Sequence, residues 1–163
     1  MVDTPKRLLL FRTGSLRFGI DVDAVQRVVS ACLMRPLPGA PDSVRGVVVI
    51  AETVIPVIDP LVPFGGVQTG AGTSELRLDS RFILVQAPER LLAVIADQVD
   101  GIRSGAELQC MPDESLPGMI PELRGISVAS DGMIYVSDPE RLISQADEIK
   151  LQATIGEIAR AEE

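Results

Sequence analysis

The chain of 163 residues contains no histidine, no tryptophan and only one tyrosine. Without histidine there is no Ser-His-Asp or Cys-His nucleophile, no imidazole base or metal ligand, and no histidine phospho-acceptor. Aromatic residues make up 3% of the chain, although 46% of it is hydrophobic, so the core is expected to consist mainly of Val, Ile, Leu and Ala. The length is that of one domain. The sequence predicts a protein that is not an enzyme and that uses no cofactor or metal.

Basic residues are also scarce, and the charges are unevenly distributed. The formal net charge is −8. Residues 1–50 carry seven Lys or Arg against four Asp or Glu, whereas residues 51–163 carry eight against nineteen. An acidic chain with few aromatics lacks the basic footprint and the stacking platforms of a nucleic-acid binder. Surfaces of different sign instead favour oriented contact with protein partners.

Cysteines and long apolar runs are few. Cys32 and Cys110 form no CxxC motif, which favours two buried free thiols in a reducing compartment. The longest apolar run, Leu91–Ala96, has the length of a strand and not of a membrane span. The N-terminal apolar run ends at Phe11, so no signal peptide is evident. We expect a cytoplasmic protein that does not insert into the membrane.

The sequence does contain many short apolar runs separated by Gly, Pro and polar turn residues, a pattern typical of β-strands. Val22–Val29 differs, because its valines recur at helical spacing and predict a short helix with one apolar face. From Pro139 a period of 3.6 residues predicts one or two amphipathic helices. Gly65–Ser80 is polar and rich in glycine; it lacks the GKS or GKT of a phosphate loop and is predicted to be a linker.

An internal repeat organises these segments. Phe18–Val28 aligns with Leu92–Ile102, and Arg45-Gly46 and Arg124-Gly125 each precede an Asp-Pro pair by fourteen residues. Each copy offers four or five short strands, for which closure into a small barrel is the simplest solution. The predicted organisation is a first β subdomain over 7–64, a linker over 65–80, a second β subdomain over 81–138 and a C-terminal helical segment over 139–163.

The repeat places Asp59 and Asp138 at equivalent positions, as in a duplicated aspartic protease. Such enzymes need two carboxylates that share a proton, each on an Asp-Thr/Ser-Gly loop. Here proline follows each aspartate, so helix capping explains both residues better than catalysis does.

The order and spacing of these segments resemble the CheW family, the adaptor domain of bacterial chemosensory arrays. The likeness extends from about Leu8 to Ile143. It rests on Phe18–Val25, Pro36–Gly46, Val54–Asp59, Val94–Gly101 and Gly132–Val136.

This resemblance implies a mainly β fold of two five-stranded, Src-homology-3-like barrels that share a core, with short helices and a C-terminal helix. It also implies a non-catalytic adaptor between the cytoplasmic tip of a methyl-accepting chemotaxis receptor and the regulatory domain of a CheA-type histidine kinase. Members of the family grip the helical hairpin of the receptor in the groove between the barrels. The matching positions are Leu9, Val22, Val25 and Val28 and, by the internal repeat, Val99 and Ile102. On pattern alone, the valines are the buried side of a short helix, and this alternative stays open.

One departure from the family lies after the first Arg-Gly. The family usually reads Asn-Leu-Arg-Gly where this chain has Val49-Ile50-Ala51-Glu52. Ala51 and Glu52 therefore replace a basic turn at the partner-facing surface, which suggests a specialised or accessory member with weakened or redirected coupling. The alternative from another class of function is a β-barrel sensor that binds a small molecule.

Overall fold

A computed structural model describes residues 7–64, 76, 78–105, 109–112, 122–129 and 132–161. Most of the predicted linker lies outside the described residues. The described chain is mainly β, because its β-branched and apolar runs suit a pleated, half-buried surface. The strands are β1 (Arg7–Thr13), β2 (Leu16–Asp21), β3 (Val25–Ser30), β4 (Val44–Ile50), β5 (Thr53–Ile58), β6 (Arg81–Gln86), β7 (Leu91–Ala96), β8 (Gln98–Ser104), β9 (Gln109–Pro112), β10 (Leu123–Ala129) and β11 (Gly132–Ser137). The helical elements are two 3₁₀ turns, Val22–Ala24 and Val62–Phe64, and helix α1 (Gln145–Ala161).

The strands form two sheets that exchange elements between the halves of the chain. One sheet has the order β8-β1-β2-β11-β10-β9, and the other has the order β3-β6-β7-β5-β4. Strands β1 and β2 thus lie beside strands of the second half, and β6 and β7 lie beside strands of the first half. The boundaries predicted from the sequence, 7–64 and 81–138, do not coincide with the sheets. The reason is that both copies of the repeat have the same apolar pattern. This pattern does not indicate whether a strand pairs with strands of its own copy or with strands of the other copy.

The sheet topology confirms the repeat itself. The order β8-β1-β2-β11-β10 becomes β3-β6-β7-β5-β4 when each strand is replaced by its counterpart in the other copy, and β9 is an addition. Register agrees as well: Gly19 pairs with Val136 in parallel, and the counterpart Ala93 pairs with Val57 in parallel. The two sheets are therefore related by a pseudo-twofold exchange of equivalent strands.

Both faces of the inner strands are buried, which explains their nearly continuous apolar runs. In β1, Leu9 and Phe11 face a core shared by both sheets, whereas Leu8 and Leu10 face a smaller core within their own sheet. Strands β6 and β7 divide their residues in the same way between the shared core and the core of the five-stranded sheet. The predicted fold class is confirmed: it is mainly β, with two sheets of five equivalent strands, one of them extended by β9, a shared core and a C-terminal helix.

The spacing between Arg-Gly and Asp-Pro has a structural cause. Arg45 lies in a bulge of β4, and its Nη1 is 3.0 Å from Oδ2 of Asp59 at the end of β5. Oδ1 of Asp59 accepts a hydrogen bond of 2.9 Å from the backbone N–H of Leu61 and caps the following turn. In the second copy, Arg124 Nη2 lies 3.8 Å from Oδ1 of Asp138, which also accepts from a backbone N–H two residues on. Both aspartates thus accept hydrogen bonds from turns and pair with arginines, but the prediction that Asp138 caps the C-terminal helix is wrong, because that helix begins only at Gln145.

The glycine of the first Arg-Gly pair permits a close approach of two backbones. A Cβ atom at Gly46 would lie 2.6 Å from the carbonyl oxygen of Arg35. Arg35 and Val47 exchange two backbone hydrogen bonds of 2.9 Å, so the neighbouring segment can reach β4 only because residue 46 has no side chain.

Three local predictions from the sequence are wrong. The C-terminal helix begins at Gln145 and not at Pro139, because Ser144 supplies the cap: its Oγ accepts from the N–H of Asp147 at 3.1 Å. Cys32 is exposed and not buried. Val22–Val29 is not a helix but a 3₁₀ turn followed by β3, and a bulge between Val25 and Arg27 breaks the alternation that would have identified the strand.

We expect Asp59→Asn to destabilise the protein by about 2 kcal/mol, because it removes the charge from a fully buried carboxylate paired with Arg45. Asp138→Asn is the matched control. Its side chain is 12% exposed, whereas that of Asp59 is completely buried, so we expect a smaller loss of about 1 kcal/mol. Urea denaturation of both variants measures the difference, and equal losses would contradict a special role for the Arg45–Asp59 pair.

Candidate functional site

The two edge strands β3 and β8 form the walls of a surface groove. Strand β3 ends the five-stranded sheet and β8 ends the six-stranded sheet. Val28 of β3 and Val99 of β8 line one depression of about 280 Å³ between them. Its polar lining consists of Asp79, Arg81, Asp97 and Gln98. We call this depression the edge groove.

The structure brings some of the predicted site residues to the edge groove. Val28 is 38% exposed, and Val99 is half-buried against the shared core. Ile102 lies farther along β8 and is 53% exposed, directly opposite Leu9 of β1. An exposed valine beside a half-buried one provides an apolar strip that a partner can cover.

The other predicted residues of the first copy face inwards. Leu9 is only 7% exposed and belongs to the shared core. Val22 and Val25 are half-buried and pack against the same core. Of the four residues taken from the first copy, Val28 is thus the most exposed. Val22 and Val25 fit the alternative interpretation, in which the valines pack against the core.

The polar residues of the edge groove were not singled out as site residues. Asp97 is held in place, since its Oδ2 accepts a hydrogen bond of 2.8 Å from the N–H of Gly14 and its own N–H donates to the carbonyl of Arg12. Arg81 Nη1 donates to the carbonyls of Asp79 and Ser80. The internal repeat aligns Asp23 with Asp97, and this recurrence could have pointed to Asp97. No feature of the sequence points to Asp79 or Arg81.

Ala51 and Glu52 lie at a second surface, at the opposite edge of the five-stranded sheet. They form the two-residue turn between β4 and β5, whereas the edge groove is beside β3. Both residues are exposed, and next to them the exposed side chains of Val49 and Val54 face each other across the hairpin. The structure does not bring Ala51 and Glu52 together with Val28 and Val99.

The turn holds two residues in a conformation that suits glycine. Ala51 has φ of 50° and Glu52 has φ of 67°, the geometry of a type I′ turn, which prefers Asn-Gly or a similar pair. A residue with a Cβ atom costs about 1 kcal/mol in this left-handed region. The replacement of the usual Arg-Gly therefore changes the shape preference of the turn as well as its charge.

We expect Glu52→Gly to stabilise the protein by about 1 kcal/mol, because glycine adopts positive φ without strain. Among the described residues, the exposed side chain of Glu52 has no hydrogen-bond or ion-pair partner whose loss would offset this gain. Thermal denaturation measures the effect, with Glu52→Ala as the control that removes the charge but keeps the Cβ atom. A gain as large in the alanine variant would contradict the conformational explanation.

No helix in the described ranges is long and apolar enough to cross a membrane.

Comparison with known proteins agrees with this architecture. The model of the CheW-like domain matches residues 7–147. The chemotaxis protein CheW of Klebsiella aerogenes is 23% identical over 144 residues, which cover 87% of this chain and 84% of that protein. Protein FrzA of Myxococcus xanthus is 28% identical over 146 residues, which cover 88% and 83% of the two chains.

A solved structure shares the fold. The crystal structure of the scaffolding protein TtCheW from Thermoanaerobacter tengcongensis matches with a TM-score of 0.69 and 24% identity, and the match covers 85% of this chain and 92% of that one. Since the family model matches most of the chain, this protein belongs to the CheW-like domain family, the family that its sequence resembles.

Proposed function

We propose that this protein is a non-catalytic cytoplasmic adaptor, which couples the tips of methyl-accepting chemotaxis receptors to the regulatory domain of a CheA-type histidine kinase. The observation that carries the proposal is the presence of two separate surfaces at opposite edges of one sheet, the edge groove beside β3 and the turn beyond β4. An adaptor needs two such surfaces, because both partners must bind at once.

The edge groove suits the receptor. A helical hairpin binds to a groove through a few apolar anchors placed at helical spacing. Val28 and Val99 supply apolar contacts from both walls, and the charged residues around them supply a polar rim. The first contact surface is therefore the edge groove, with Val28 as its most exposed apolar residue.

The turn of Ala51 and Glu52 is the candidate for the second contact, and it is where this chain departs from the Arg-Gly that is usual in the family. An arginine at position 51 would present a cation at the tip of the hairpin, next to the exposed pair Val49 and Val54. Here the same position is neutral and its neighbour is acidic. We infer weakened or redirected coupling, because Glu52 repels an acidic partner surface that an arginine would attract.

The cavity that adjoins the shared core is too small to hold a small-molecule ligand. The cavity beside Phe18, Asp59 and Leu142 has a volume of about 20 Å³, which is room for roughly one water molecule. Ligand pockets generally have volumes of about 300–1,000 Å³. Asp59 and Asp138, the two aspartates with a catalytic alternative, are engaged with arginines and backbone N–H groups.

The direct test measures binding of the purified protein to a soluble receptor-tip fragment and to a kinase regulatory domain, separately and together. We expect both to bind, and to bind at once. If neither binds while the protein retains a metabolite in native mass spectrometry, the adaptor proposal is wrong and the sensor is favoured.

We expect Val28→Asp to weaken receptor-tip binding at least about tenfold, because a charge in an apolar contact is left unpaired. Its stability should stay near that of the unchanged protein, since the side chain is already 38% exposed. Val25→Asp is the contrasting variant. It should lower the melting temperature, because Val25 packs against the shared core. Unchanged receptor binding by a folded Val28→Asp variant would exclude the edge groove as the receptor contact.

We expect the double substitution Ala51→Arg with Glu52→Gly to tighten binding to a standard partner of the family by about tenfold, or about 1.4 kcal/mol. The restored guanidinium supplies a charge-assisted hydrogen bond, and glycine relaxes the turn. Glu52→Gly alone separates the effect of the turn from that of the arginine. If the double variant binds no more tightly than Glu52→Gly alone, the missing arginine does not weaken coupling.

A further inference from the structure

A third surface lies between helix α1 and the turn that joins β6 to β7. It is a groove of about 360 Å³, to which α1 contributes Gln145, Glu148, Ile149 and Gln152. These residues have the spacing i, i+3, i+4, i+7, so they form one face of the helix. The other side of α1 packs inwards, where Leu151 is fully buried in the shared core. We call this surface the helix–hairpin groove.

The floor of the helix–hairpin groove is apolar and uncovered. Ile149 is 64% exposed, whereas Leu151, two residues further along the helix, is fully buried. Ile143, half-buried, and Pro88 of the β6–β7 turn continue the same apolar surface. Covering such side chains with a partner would release the water that they now order.

The rim of the groove is acidic. Glu89 and Glu140 are exposed at its two sides, and no Lys or Arg is among the described residues that line it. The nearby Arg90 is already engaged, because its Nε donates to Oε1 of Glu148 at 2.7 Å. A cationic ligand would therefore meet two free carboxylates with no competing cation on the lining.

Glu148 itself retains capacity for a further donor. Its side chain is 12% exposed, and its second oxygen, Oε2, is buried without a hydrogen-bond partner among the described residues. Buried carboxylate oxygens without donors are unfavourable. The pair of Arg90 and Glu148 thus leaves one carboxylate oxygen of a lining residue without a donor among the described residues.

We propose that the helix–hairpin groove binds a short basic amphipathic segment of a partner protein. One apolar side chain of the segment packs on Ile143 and Ile149, and its Lys or Arg side chains pair with Glu89 and Glu140. The charge of the lining selects against acidic segments. This site is distinct from the edge groove and from the turn of Ala51 and Glu52, so it would allow a third contact by the same adaptor.

The test uses fluorescence anisotropy with three labelled peptides of equal length. The first has leucine on one helical face and lysine on the other, the second has serine in place of leucine, and the third has glutamate in place of lysine. We expect the lysine–leucine peptide to bind best, with an affinity that falls as salt is added. Equal binding of the lysine–serine peptide would overturn the proposal, because attraction by the net charge alone would then explain the result. Absence of binding by the lysine–leucine peptide would overturn it as well.

Variants of the full chain locate the binding. Glu89→Gln with Glu140→Gln should weaken the lysine–leucine peptide about tenfold, and Ile149→Ser should weaken it by a similar factor. The matched control is Asp42→Asn with Glu157→Gln, which removes two exposed charges outside the groove and should leave binding unchanged. Equal weakening by the control would overturn the proposal.

Two further measurements separate this proposal from the others. Val28→Asp should leave peptide binding unchanged, and the groove variants should leave receptor-tip binding unchanged, so either proposal can fail alone. Analytical ultracentrifugation examines a second copy of the chain as occupant. A dimer that dissociates in Ile149→Ser, together with no peptide binding, would identify the groove as a self-interface and overturn the peptide site.

Discussion

The apolar core between the two sheets is the constraint on which the rest of the structure depends. It is built from alternate residues of β1 and β2 on one side and of β6 and β7 on the other, and α1 closes it through Leu151. Because these strands cross from one half of the chain into the sheet of the other half, neither half can fold around a complete core alone. The two units therefore keep a fixed relative position, and the edge strands β3 and β8 face each other across a groove of defined shape.

The placement of the surfaces follows from the sheet order. Strands β3 and β4 are the two ends of the five-stranded sheet, so the proposed receptor contact at β3 and the proposed second contact at the β4–β5 turn would not compete for space. The pseudo-twofold exchange adds a similar hairpin in the other sheet, where Val128 and Met133 face each other as Val49 and Val54 do. Duplication of one small plan thus places a similar exposed apolar pair on each of the two sheets.

Sequence reasoning succeeded where the signal was local and failed where a residue's exposure depended on distant packing. The spacing of Arg45 to Asp59 recurred in the second copy and corresponds to a real ion pair. The valines of β3 were assigned to a helix, because a bulge gives a strand an irregular pattern that mimics helical spacing. Leu9 was placed in the family's groove but is buried, since both faces of β1 are covered by neighbours that the local pattern does not reveal.

The sequence by itself determined the repeat, the strand-rich fold, the recurring Arg-to-Asp spacing and the absence of histidine chemistry, because each can be recognised from composition or from a residue pattern that recurs along the chain. The tertiary structure alone decided which strands the two copies exchange, and hence that Val28 and Val99 line one groove. It also decided that α1 leaves Ile149 exposed beside an acidic rim. The physical reason is that equivalent strands of the two copies have the same apolar pattern, so by pattern alone a strand could pair with a neighbour from either copy. Only packing across the shared core selects one pairing.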